Sequence, residues 1–377
     1  MDASTAQPSD RLARLLAFLD QDPRNPALLA DAAAAALDEG EAGQASDLID
    51  RLAAVSPLGP QGLNLKGLAA IGERRFGDAT VIFEGLLADA GDDPGLRFNL
   101  AWCKAMQHDH EAAAALLDDR TVAAVPRAAA LKVQSLHHLG RLEEALACGL
   151  GYVEARPGDE PLMAALALAA LDAGELDLAA AYAARAGQDN SDAAATLGMI
   201  RLNADEVEGA LELFDRALAD NPRNARALLG RGLGQMAKGD AGAAAGALTE
   251  AASAFGDHLG SWVAAGWAHF IGGDHVRARG VFERALALDD TFAETHGSLA
   301  VLDMAEGDSE SARRRTDVAL RLDRDCFSAA LARSLLLQAE GKPAAADRIR
   351  DAALNTPVIP GGRTIAQAMA ALGSKRG

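Results

Sequence analysis

From Ser191 to Pro360 the sequence repeats a 34-residue pattern five times without one inserted or deleted residue. At repeat position 20 stand Ala210, Ala244, Ala278, Ala312 and Ala346, and at position 27 stand Ala217, Ala251, Ala285, Ala319 and Ala353. A methyl-sized side chain recurring at a fixed place lets neighbouring backbones approach closely. A helix pair that cannot bury its apolar face alone does so by stacking on the next pair. The period therefore demands a stack of helical hairpins, and such stacks bind things. It carries no information on what is bound.

With small changes of length the same lattice runs backward, through units beginning near Pro26, Pro60, Pro94, Pro126 and Glu160, so that ten units result. Those at Pro94 and Glu160 are 32 and 31 residues long, and their second helices or turns must be shortened. The turn-forming stretch Gly187-Gln188-Asp189-Asn190-Ser191 is a candidate kink between an irregular and a regular half. Ahead of the lattice, Arg11 to Asp20 carries Leu12, Leu15, Leu16 and Leu19 at helical spacing and reads as a capping helix. After it, Thr364 to Leu372 reads as a short amphipathic helix with Ile365, Met369 and Leu372 on one side. The expected organisation is an N-terminal cap over 1–25, irregular repeats over 26–190, regular repeats over 191–360 and a C-terminal capping helix and tail over 361–377.

The pattern resembles the tetratricopeptide repeat family across essentially the whole chain. In 191–224 the small and aromatic positions of the family stand as Leu197-Gly198, Ala210, Phe214, Ala217-Leu218 and Pro222. In 259–292 they stand as Trp262, Gly266, Gly273, Ala278, Phe282 and Ala285-Leu286. The resemblance implies an all-α, right-handed superhelical solenoid of about ten helix-turn-helix repeats between terminal capping helices. Two units depart from it, with Arg231 and Arg333 at position 7, where the family packs a leucine. Arginine does not bury unpaired, so those units are rotated locally or each guanidinium reaches a carboxylate or the surface.

Proline placement agrees, since a proline inside a helix costs roughly 3 kcal/mol. Pro26, Pro60, Pro94, Pro126 and Pro161 fall at or beside unit starts, Pro57, Pro157 and Pro222 fall in turns, and Pro343 opens a second helix. No run of β-branched and aromatic residues alternates with polar ones, and aromatic content is 4%, so no strand competes for the assignment. The polar, acidic Met1 to Asp10 lacks the apolar core of a secretory signal, and the most apolar run, Pro161 to Ala170, is bracketed by Glu160 and Asp172. Cys103, Cys148 and Cys326 are odd in number and far apart, as suits unpaired thiols in a reducing compartment. A soluble cytoplasmic protein is expected, bacterial by its Ala, Gly, Asp and Arg bias.

Net charge is −18. Residues 1–190 hold 15 Lys and Arg against 29 Asp and Glu, whereas residues 191–377 hold 21 against 25. So acidic a chain repels nucleic acid and anionic membrane, and a basic or neutral protein partner fits better. The one cationic cluster, Arg313, Arg314 and Arg315, reads as a solvated outer face in preference to an anion site.

The resemblance also implies that the first helix of each unit lines the concave side, with positions 2, 5, 9 and 12 in the trough. Position 9 reads Ala34, Leu68, Trp102, Gln134, Leu168, Met199, Leu233, Trp267, Val301 and Leu335. Position 12 includes His137, Met236, Phe270 and Met304, and position 5 includes Asn64 and Phe98. The Lys, Asn and Arg clamp that some members use for a terminal carboxylate is absent. One reading is core extending inward. The other is a trough for an apolar or amphipathic segment of a partner protein, its candidate contacts being Asn64, Leu68, Phe98, Trp102, Gln134, His137, Met199, Leu233, Met236, Trp267, Phe270 and Met304. Self-association through this surface is a further reading, with a monomer favoured.

Catalytic signatures are weak. Gly230, Gly232 and Gly234 mimic the start of a dinucleotide pattern but fall within a first helix with no strand ahead of it, so close packing explains them better. His108 and His110 end the first helix of one unit and His137 and His138 that of the next, yet a histidine at a helix C-terminus already suits the dipole. No nucleophile or acid–base constellation stands out. The expectation is a non-enzymatic adaptor or scaffold with no cofactor and no metal. The alternatives are an accessory or regulatory subunit of an enzyme or of a secretion or assembly machinery and, more remotely, a metal-dependent enzyme.

Overall fold

A computed structural model describes residues 8–187 and 189–355, and all regular structure among them is helical. Helix α1 (Pro8–Gln21) precedes α2 (Pro26–Asp38), α3 (Ala42–Val55), α4 (Pro60–Gly72), α5 (Phe76–Ala90) and α6 (Pro94–Met106). Then come α7 (His110–Leu116), α8 (Asp119–Ala124), α9 (Ala128–His138), α10 (Leu142–Ala155) and α11 (Glu160–Asp172). Next are α12 (Leu176–Ala186), α13 (Ser191–Asn203), α14 (Val207–Asp220), α15 (Ala225–Lys238), α16 (Ala241–Phe255) and α17 (Leu259–Ile271). The remainder are α18 (His275–Leu288), α19 (Ala293–Ala305), α20 (Ser309–Leu322), α21 (Phe327–Ala339) and α22 (Pro343–Leu354). The chain divides into two compact units, Met1–Gly174 and Glu175–Gly377. Within each, consecutive helices pack as the hairpins of a tetratricopeptide-like solenoid. The helix read over Thr364–Leu372, and Gln188 in the turn-rich stretch, lie outside the described residues.

One backbone device sets every hairpin. Position 15 is left-handed in all ten units: glycine in seven, from Gly40 to Gly341, and Arg74, His108 and Asp205 in the others, with φ of 61°, 64° and 62°. The left-handed residue turns the next N–H back onto the first helix, as in Asp240 N to Gln235 O at 3.0 Å and Asp308 N to Asp303 O at 2.9 Å. Carbonyls that the helix end would orphan are thereby satisfied. Asp240, Asp274 and Asp308 then cap the following helix with their carboxylates.

The core follows the alanine lattice. Position 20 is an alanine of zero exposure in all ten units: Ala45, Ala79, Ala113, Ala145 and Ala179, then the five regular ones. The lattice thus extends through the irregular half. Across several hairpins, positions 8 and 24 trade volume. Phe83, Phe214 and Phe282 press on Gly67, Gly198 and Gly266, where an added Cβ would lie 2.6, 2.5 and 2.3 Å from the ring. In the α9–α10 hairpin the sizes are exchanged, with Val133 facing Gly149. Ahead of the lattice, Leu12 and Leu19 of α1 join the core around Leu29 and Ile49.

The unit at Pro94 is shortened as its length requires: its second helix breaks into α7 and α8 around the buried Leu117. Asp118 caps α8 by accepting from Thr121 N at 2.8 Å. Arg97 donates to Leu116 O at 3.1 Å, and Arg156 donates to the carbonyls of Val122, Ala123 and Pro126. Two arginines therefore satisfy the backbone groups that the break exposes. Arg231 and Arg333 reach carboxylates one helix back, Asp215 at 3.9 Å and Asp317 at 4.0 Å, and keep partial access to solvent.

Candidate binding trough

All twelve candidate contacts are half-buried, so none is sealed like the position-20 alanines and none stands free. In Glu175–Gly377 they lie on successive first helices: Met199 on α13, Leu233 and Met236 on α15, Trp267 and Phe270 on α17, Met304 on α19. Trp267 donates its indole N–H to Ser298 Oγ at 3.0 Å, and its ring meets Phe270 and Phe282 edge-on at 5.5 and 6.2 Å. Phe270 stacks on His275 at 5.1 Å. Both aromatics rest on the core around Phe282 and Leu302, so each has one face in the fold. Leu233 and Met236 rest likewise on Leu248 and Ala265. Val301, at position 9, is buried outright.

In Met1–Gly174, Asn64 and Leu68 lie on α4, Phe98 and Trp102 on α6, and Gln134 and His137 on α9. Phe98 and Trp102 face each other at 6.5 Å, and the Arg127 guanidinium sits 5.6 Å from the Trp102 ring centroid. His137 Nε2 lies 2.7 Å from Asp172 Oδ2.

The polar groups along the first helices mostly serve the stack. Glu294 accepts from Phe327 N at 2.7 Å, capping the next first helix, and the Asn224 amide donates to Ser191 Oγ and Asp192 Oδ1, each at 2.8 Å. Sequence reasoning missed the buried Asp303, whose carboxylate sits between Arg279 at 2.7 Å and Arg315 at 3.0 Å, with Glu306 also on Arg279. The three arginines of the cationic cluster are all paired, Arg313 with Glu340, Arg314 with Glu310 and Arg315 with Asp303. Ile271 and Val276 were missed as well; they are 59% and 84% exposed at the tip of the α17–α18 hairpin.

Two of the three cysteines are held as thiols. Burial pushes the Cys103 thiol up to about 11 and that of Cys326 up to about 12, which keeps both protonated. Gly230, Gly232 and Gly234 are spacers: an added Cβ would lie 2.1 Å from Phe214, 2.5 Å from Leu248 and 2.9 Å from Leu211. His108, His110, His137 and His138 do come together, yet among the described residues no group of three His, Cys, Asp or Glu is placed to hold a metal ion. Among the described residues no helix is long and apolar enough to cross a membrane.

The tetratricopeptide repeat model matches residues 107–160, 195–233 and 233–291. Over these three stretches the chain is built of tetratricopeptide repeats. Among curated proteins none matches it. Among solved structures, the APC/C hetero-tetramer Cut9-Hcn1 aligns with a TM-score of 0.56 at 14% identity, over 93% of this chain and 80% of that one. The human IFIT1 dimer with PPP-AAAA aligns with a TM-score of 0.55 at 13% identity, over 94% and 95%. At such identities these likenesses concern the fold alone.

Proposed function

We propose that this protein is a non-enzymatic adaptor or scaffold that takes an apolar or amphipathic segment of a partner protein against the inner faces of its first helices. The observation that carries the reading is that, within Glu175–Gly377, Met199, Met236, Phe270 and Met304 keep accessible surface while the position-20 lattice is sealed. Flexible thioethers and broad aromatic faces suit an apolar segment of irregular shape. Without a cationic clamp the trough recognises side chains in preference to a terminal carboxylate. The charge of −18 favours a basic or neutral partner over nucleic acid or an anionic membrane. Three unpaired cysteines suit the cytoplasm. The protein is proposed to act as a monomer, without metal or cofactor.

The test is a Met236→Glu/Met304→Glu double variant, compared with wild type for recovery of partner by affinity capture at equal helicity. Loss of recovery by tenfold or more, about 1.4 kcal/mol, is expected. Unchanged recovery contradicts the trough. A second reading, an accessory subunit of an enzyme or assembly machinery contacted outside the trough, is favoured by the exposed Ile271 and Val276. Loss of capture on Ile271→Ser/Val276→Ser alone would support it.

A further inference from the structure

Four imidazoles converge where the third hairpin (α6 to α8) meets the fourth (α9 and α10), inside Met1–Gly174. The rings of His110, first residue of α7, and His138, last of α9, lie parallel within 10° at a centroid distance of 4.3 Å. His108 meets His110 edge-on at 6.1 Å, and His137 meets His138 at 5.6 Å. His137 in turn reaches Asp172 on α11. Imidazoles thus join one hairpin to the next at the stacked pair, and the fourth hairpin to α11 at His137.

The stacked contact suits neutral rings. His110 Nδ1 is buried with no hydrogen-bond partner, a tolerable state for an acceptor lone pair. Protonation would turn that nitrogen into a buried donor without an acceptor, and a second protonation, on His138, would place two cations face to face. The charged groups named around the joint have partners of their own. On the α6–α7 side the Asp109 carboxylate caps α7 through Ala112 N, Glu111 meets Arg141, and Lys104 is held by Glu84. On the α9–α10 side Arg141 also binds Glu144 and adds positive charge, while Asp172 serves His137.

We propose that this histidine stack is an acid-labile joint, which holds α7 on α9 while its rings are neutral and releases the short, interrupted second helix of the third hairpin when they take up protons. Burial, and then the neighbouring His108, lowers the affinity of His110 for a proton below that of a free imidazole, with Asp109 opposing. The sign follows. A base that binds protons more weakly folded than unfolded contributes its stability above about pH 6.5, and loses it as pH falls from there toward the depressed folded value. Acid therefore loosens the junction of the third and fourth hairpins.

Hydrogen exchange of the full chain at pH 7.5 and 5.5, corrected for intrinsic exchange, tests this on peptides covering α7. In wild type the opening of α7 should rise at least about fivefold at the lower pH, with α14 as the unaffected reference. His110→Phe preserves an aromatic stack that cannot titrate, and should remove the excess. His138→Gln, which removes one ring, should reduce it if the phenylalanine variant does not fold. A wild-type α7 with no excess opening, or an excess retained in the variants, overturns the proposal.

Discussion

The α17–α18 hairpin and the α9–α10 hairpin occupy the same repeat register and solve one packing problem with the sizes exchanged. In the first, a glycine on the first helix, Gly266, admits a phenylalanine of the second, Phe282. In the second, Val133 stands on the first helix and Gly149 on the second, where an added Cβ would come within 2.4 Å of Leu166. In these two hairpins the shared space is filled from opposite sides, so the residue at either position changes while the pairing stays. Family patterns look degraded in the irregular half partly for this reason, although Ala145 is as fully buried there as Ala278 in the regular half.

The largest effect expected from this exchange is at Phe282. Phe282→Ala empties a fully enclosed site and should cost about 3–5 kcal/mol in denaturant unfolding, against about 1–2 kcal/mol for Val133→Ala, where less volume is removed. Equal costs would break the comparison. Next is Gly266→Ala, whose methyl has no room against the ring. It should cost about 1–3 kcal/mol, and Phe282→Leu in the same chain should recover most of it. Strict additivity of the two would show that positions 8 and 24 do not share volume.

Smaller effects separate the turns from the faces. Arg74 holds a left-handed conformation that glycine adopts in seven other hairpins, so Arg74→Gly should raise stability by about 1 kcal/mol while Gly307→Ala lowers it by a similar amount. The smallest is Gly280→Ala. Gly280 lies inside α18 with open space around its Cα, and alanine there should add about 0.5–1 kcal/mol through helix propensity alone. A loss at Gly280 would mean that this outer face is packed.

The alanine lattice was legible in the sequence because every hairpin needs the same methyl at the same place, so repetition itself exposes the constraint. The Asp303 network was not. Arg279, Asp303 and Arg315 are spaced 24 and 12 residues apart on three helices, and nothing in their types separates them from surface charges until the hairpins stack. For the proposed trough, sequence gives a register but not a surface. Val301 and Met304 stand three residues apart on α19, yet Val301 is buried and Met304 half-open, a difference set by the neighbouring helices. The four histidines were visible as two pairs near successive hairpin turns, but only His137 and His138 end a first helix; His108 lies in the turn after α6 and His110 opens α7. Only the stacking of hairpins shows that His110 and His138, rather than His108 and His138, share a face.

Site-specific photocrosslinking in cells tests most directly that partner protein is taken by the first-helix faces. A photoreactive phenylalanine analogue would replace Met236 or Met304 in the trough and, as a control, the exposed Arg284 on α18. The account predicts a covalent adduct to the same partner protein at both trough positions and none at Arg284. Adducts at Arg284 with none at Met236 and Met304 would contradict it.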